Sequence, residues 1–91
     1  MILAFLLLQL AAAPAEPPVA DIVVVARRQK CDVSIASRLI SDREFRARAR
    51  EWATGTIVRV HAPARSSYQC LAKIMFKLGD YGVTRAEFVD P

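Results

Sequence analysis

Two cysteines, one histidine and a run of arginines are the side chains of this 91-residue sequence whose types could support chemistry. Cys31 and Cys70 allow only one intrachain pairing, and a disulfide closing a loop of that length stabilises by about 4 kcal/mol on the chain-entropy model. The competing readings are two unpaired buried thiols, or a redox thiol at Cys70, whose place near the start of a predicted helix favours the thiolate. No Cys-x-x-Cys accompanies it, which favours the structural bond. His61, the only histidine, lacks the spaced cysteines, histidines or paired carboxylates of a zinc site and reads as surface. Gly55, Gly79 and Gly82, the only glycines, build neither a phosphate-cradling loop nor a dinucleotide fingerprint. No metal, cofactor or catalytic set is therefore expected, and the chain reads as non-enzymatic, with a small thiol-dependent enzyme using Cys70 as the alternative.

Arg43, Arg46 and Arg50 fall on one helical face and are the candidate partner-binding surface, although a charged outer face is also the ordinary condition of a surface helix. The chain carries 13 basic and 9 acidic residues, a net charge of +4. That balance suits an acidic partner, an acidic cell-wall polymer or an envelope protein. There is no helix-turn-helix, zinc-finger or aromatic-basic motif, so nucleic acid is not an expected partner. A second copy of the chain, forming a homodimer, is a further candidate.

Compartment follows from the N-terminus. The apolar run over residues 1–13 is shorter than the roughly 20 residues of a bilayer-spanning helix. Ala13 and Ala15 flank Pro14 in the A-x-A pattern of a signal-peptidase site, which predicts cleavage after Ala15. A retained membrane anchor and a buried N-terminal helix are the alternatives, the buried helix being disfavoured because the run has no polar face to show to water. The expected organisation is a signal peptide over 1–15, a Pro-rich linker over 16–20 and a single domain over 21–91. The product would be periplasmic or secreted, with no stable membrane span after cleavage. So small a domain buries only roughly 60% of its unfolded surface, which makes a covalent staple valuable.

The elements that must position these residues are legible from periodicity. Residues 22–25 are a β-branched run, and residues 33–37 alternate, so two strands pair around residues 29–32. Ser41-Asp42-Arg43-Glu44 is a capping box, in which the Ser41 hydroxyl takes the Glu44 amide and the Glu44 carboxylate reaches back to the Ser41 amide. Phe45, Ala49 and Trp52 make the apolar face of the helix that follows, and Gly55 stops it. Residues 56–60 form a strand. Tyr68, Leu71, Ala72, Met75 and Leu78 recur at helical spacing, capped by Ser66 or Ser67 and ending over residues 79–82. Residues 83–89 form the last strand. The order β-β-α-β-α-β implies an α/β two-layer sandwich, with two helices on one face of a mixed sheet. Phe45, Trp52, Leu71, Met75 and Leu78 are expected to pack on Val24, Ile57 and Phe88.

This order creates a conflict at the cysteines. With Cys31 in the first hairpin bend and parallel crossovers thereafter, the second helix starts at the opposite end of the sheet. That is roughly 20 Å away for a six-residue strand, whereas a disulfide tolerates about 7 Å between α-carbons. Either the bend lies elsewhere and Cys31 reaches the helix start, or the cysteines do not bond within one chain.

Over residues 57–89 the spacing of Ala62, Tyr68, Met75, Gly82-Val83 and Phe88-Val89 resembles the periplasmic domain of the ExbD/TolR family, small partners of proton-driven motors in biopolymer transport. The residues upstream are compatible with the same plan. The resemblance implies the fold of the periplasmic module and an envelope role. It does not extend to the motor, because the family's membrane helix with its proton-carrying aspartate has no counterpart, and residues 1–20 hold no acidic residue except Glu16. Pro63 stands where the family tends to have an acidic residue, and Cys70 is outside its pattern.

Overall fold

A computed structural model of the chain describes residues 16–90. The segment read as an export signal, residues 1–15, lies outside them. The β-branched run forms the middle of strand β1 (Val19–Arg27), which is longer than expected and becomes the central strand of the sheet. Its length follows from pairing on both sides, with β2 (Lys30–Ile35) antiparallel and β4 (Ile57–His61) parallel. In β1 the even-numbered residues from Ala20 to Ala26 face the core, with Ile22 and Val24 fully buried, because successive strand side chains alternate between faces.

The alternating stretch does not run on through Ser37. The chain turns at Ala36 and Ser37 into a short additional strand, β3 (Arg38–Ile40), antiparallel to β2. Both hairpin loops are two residues long, and all four of their residues are left-handed: Arg28 (φ 46°), Gln29 (φ 76°), Ala36 (φ 51°) and Ser37 (φ 65°). Such loops match the right-handed twist of the strands, but they usually carry Asn-Gly or Asp-Gly. Here neither does.

Helix α1 (Asp42–Trp52) starts where the capping box places it, and the Glu44 amide donates to Ser41 Oγ at 3.1 Å. The reciprocal half of the box is absent. The Glu44 carboxylate instead accepts from Arg38 of β3, at 2.7 and 3.2 Å, and from Arg48 one turn on, at 3.1 Å. Phe45, Ala49 and Trp52 are buried as the spacing implied. The helix gives way to a turn at Gly55, whose φ of +115° requires glycine's freedom.

Helix α2 (Tyr68–Asp80) is entered through a 3₁₀ turn (Arg65–Ser67), and neither Ser66 nor Ser67 supplies a side-chain cap. Ser67 already has helical dihedrals, so its hydroxyl is not placed for the N-cap role. The buried stripe is Cys70, Ile74 and Leu78, while Leu71 and Met75 pack at its margin and Tyr68 and Ala72 face solvent. The chain then turns at Gly82, buries Val83, and pairs again only from Ala86, as β5 (Ala86–Val89) parallel to β4.

The sheet order is β3-β2-β1-β4-β5, and the molecule is a two-layer α/β sandwich with two helices on one face of a mixed sheet. Two expected core members lie elsewhere, Ile57 by strand parity and Phe88 by its place on an edge strand. Val58 and Val60, rather than Ile57, point into the core, and Phe88 lies at the sheet edge against Tyr68, with ring centroids 6.0 Å apart. Phe45 joins the helices edge-on, 6.4 Å from Trp52 and 5.7 Å from Tyr81. Asp42 at the head of α1 accepts from Lys77 at 2.9 Å and Tyr81 at 3.3 Å, and the Lys77 contact leads the effects holding its carboxyl below the usual range.

Two predictions follow from these loops and caps. Replacing Ala36 and Ser37 with Asn and Gly should stabilise the domain by about 1 kcal/mol, since those residues accept left-handed dihedrals at less cost. Thermal melting checks this, and an unchanged or lower midpoint would contradict the left-handed loop. The hydrogen bonds from Arg38 and Arg48 push the Glu44 carboxyl down to about 2 from an ordinary 4.5. A carboxylate depressed on folding contributes fully above its unfolded pKa, and that contribution is lost as pH falls through the folded value. Wild type should therefore exceed Glu44→Gln in melting temperature at pH 7, with the gap closing between about pH 4.5 and 2.

Candidate functional site

The two cysteines are bonded. Cys31, second residue of β2, lies beside the first turn of α2, and its α-carbon is 5.2 Å from that of Cys70. The additional strand resolves the conflict read from the sequence. Two hairpins in succession leave β3 parallel to β1, α1 carries the chain back, and β4 then runs parallel to β1. The C-terminal end of β4, and so the start of α2, arrives at the same end of the sheet as the first hairpin. Cys31 is not in the bend itself, which is Arg28–Gln29, but it faces the helices opposite Ala26. Cys70 is 5% exposed, and its sulfur also contacts the Lys30 carbonyl oxygen at 3.9 Å. That contact is packing, because a disulfide sulfur carries no proton to donate.

Beside this bond lies a groove with basic and polar residues along it. The open groove, of about 480 Å³, separates the first hairpin, residues 26–31, from Ser66, Gln69, Cys70 and Lys73 of the second wall; the Lys30 main chain faces it, while by register the Arg27 and Lys30 side chains belong to the outer sheet face. None of its lining residues is acidic. Arg27 is held by Asp32 at 2.9 Å on the outer sheet face, while α2 begins with no acidic residue in its first turn. The sequence showed these cations only as the polar end of a strand and one lysine within a helix. The hairpin and the start of α2 share one end of the sheet because β4 runs parallel to β1, which extends four residues beyond the pairing of Val23 with His61.

The arginine face of α1 is only partly available. Arg46 pairs with Asp42 at 3.8 Å and lies over the Tyr81 ring at 5.3 Å, whereas Arg43 and Arg50 are exposed and have no ion-pair partner among the described residues.

His61 is not partnerless. On the sheet face away from the helices, parallel register sets Asp21 beside Arg59 and Val23 beside His61. The His61 Nε2 donates to Asp21 Oδ1 at 2.9 Å, and Arg59 Nε lies 3.6 Å from the same oxygen. The missing signal was the pairing of β1 with β4, which brings together residues 40 apart in sequence. This cluster orients an imidazole, yet the hydroxyl in its cross-strand row, Ser34, lies beyond Val23, about 10 Å away at two strand spacings. The arrangement is a surface ion-pair cluster spanning β1 and β4. Among the described residues no group of three or more metal-ligating side chains forms, and no helix is long and apolar enough to cross a membrane.

Comparison with protein-family models, with curated proteins and with solved structures returns no match to this chain.

Cleaving the disulfide removes a constraint on a loop with a sequence separation of 39. Cys31→Ser/Cys70→Ser should lose about 4 kcal/mol in urea unfolding relative to the oxidised chain. The oxidised chain should show no free thiol to Ellman's reagent under denaturing, non-reducing conditions. Two reactive thiols would contradict the bond.

Proposed function

We propose that this chain is an exported, non-enzymatic binding or scaffold module of the cell envelope, periplasmic or secreted, built on the plan of the ExbD/TolR periplasmic domain. The observation that carries this reading is the Cys31–Cys70 bond, since stapling suits a small domain in an oxidising compartment. The helices cover one sheet face only, so the other face and the edge strands β3 and β5 are surfaces on which a partner could pair. Arg43 and Arg50 on α1 add a cationic surface suited to an acidic wall polymer or an envelope protein. With its thiol committed to the bond, Cys70 supports a binding role in preference to thiol catalysis.

The test is expression of the full chain in a bacterial host, followed by fractionation, N-terminal sequencing and thiol counting. The expected product begins at Glu16, lies in the periplasmic or medium fraction, carries no free thiol and sediments with envelope material. A cytoplasmic product that retains Met1 and two free thiols would overturn the reading.

A further inference from the structure

Strand β5 leaves the sheet with an open edge. No described strand pairs along its far side, and Ala86–Val89 holds neither the lysine nor the proline with which edges are usually blunted. The Arg85 carbonyl accepts from the Val58 amide at 2.8 Å, so the odd-numbered residues turn their backbone groups to β4. Ala86 and Phe88 therefore turn their N–H and C=O outward, because backbone groups alternate between the two sides of a strand.

The side chains along this edge are short of partners too. By parity Arg85 and Glu87 belong to the sheet face away from the helices, and both are exposed with no ion pair among the described residues. Arg59 is the register neighbour of Glu87, but its Nε lies 3.6 Å from Asp21 Oδ1 on the other side. On the helix side Phe88 is 42% exposed, and Tyr68, which meets it edge-on, is 44% exposed.

We propose that β5 is a self-association edge, along which a second copy of the chain pairs antiparallel about a twofold axis beside Ala86 and joins the two five-stranded sheets into one. The outward groups of Ala86 then bond those of Ala86 in the copy. Phe88 comes opposite Thr84 of the copy, which covers its open side. Arg85 and Glu87 of each chain face Glu87 and Arg85 of the other at the non-hydrogen-bonded positions, where α-carbons lie about 4.5 Å apart. Side-chain parity permits slides of two residues only, and one such step either way sets Glu87 against Glu87 or Arg85 against Arg85. Opposite charge thus selects one register, in which the edge is complementary to itself. The inference rests on the reading of the sheet edges as binding surfaces and names the occupant of one of them. An edge this short belongs with the weak, reversible interfaces below about 1,200 Å².

Sedimentation equilibrium of the oxidised chain at low ionic strength, from about 1 to about 500 µM, should show monomer passing to dimer. Arg85→Glu and Glu87→Arg each set like charges across the edge twice and should weaken self-association by at least about tenfold. An equimolar mixture of these two variants recreates both opposite pairs and should dimerise as wild type does, as should the double variant Arg85→Glu/Glu87→Arg. Arg43→Glu, the same charge change placed on α1, should alter association by no more than about twofold. All three side chains are exposed, circular dichroism verifies each fold, and either single variant decides the question if the other does not fold. The proposal is overturned if the chain stays monomeric throughout, if the single variants dimerise as wild type does, or if mixing them restores nothing. A monomeric chain that still sediments with envelope material would sink this inference and leave the binding-module reading standing.

Discussion

The covalent contact between β2 and the first turn of α2 is the constraint to which the rest of the architecture must conform. A disulfide requires α-carbons within about 7 Å. The beginning of the second strand and the beginning of the second helix must therefore share one end of the sheet. With a single hairpin before α1 they would not. The three-residue strand β3 supplies the extra reversal, and with it the parallel pairing of β1 with β4 and the central position of β1. A very short edge strand thus decides the direction of everything that follows it.

Much of this was legible in sequence, and the failures have identifiable causes. The β-branched stretch in β1 and the Ser41 cap with Phe45, Ala49 and Trp52 are strong local signals, and they place β1 and α1 correctly. Strand β3 was missed because its loop uses Ala36-Ser37, residues that tolerate left-handed dihedrals poorly and give no turn signature. The distance conflict between the cysteines was itself a sign of a missing reversal, since one more turn of the chain removes it. In α2 the expected packing residues Leu71 and Met75 lie at the margin of the buried stripe, and only Leu78 lies within it. The burial of Cys70, imposed by its bond, rotates the inward stripe onto Ile74 and Leu78.

The candidate site was less legible than the fold, because its members become neighbours only through long-range pairing. Cys31 and Cys70 could be named from their number alone, but not the meeting of the first hairpin with the start of α2 beside them. Asp21 and His61 meet only once β1 and β4 are in register. Glu44 shows a related limit: the local motif assigned its carboxylate to its own helix terminus, while the fold brings Arg38 from β3 close enough to capture it. An ion pair to a guanidinium outcompetes a single backbone amide, so the local motif is half kept.

Strand β1 also sets a lever arm. Its nine residues run unbroken from the Pro-rich linker to the first hairpin, a rise of about 27 Å at the usual spacing per residue. Glu16, the first described residue, therefore lies at the pole opposite the first hairpin and its groove. The terminus of β5, which ends beside His61, lies toward the groove pole. Any attachment made through the N-terminal side would hold the groove outward, at the far end of a stiff spacer, whereas a fusion at the C-terminal side would crowd it.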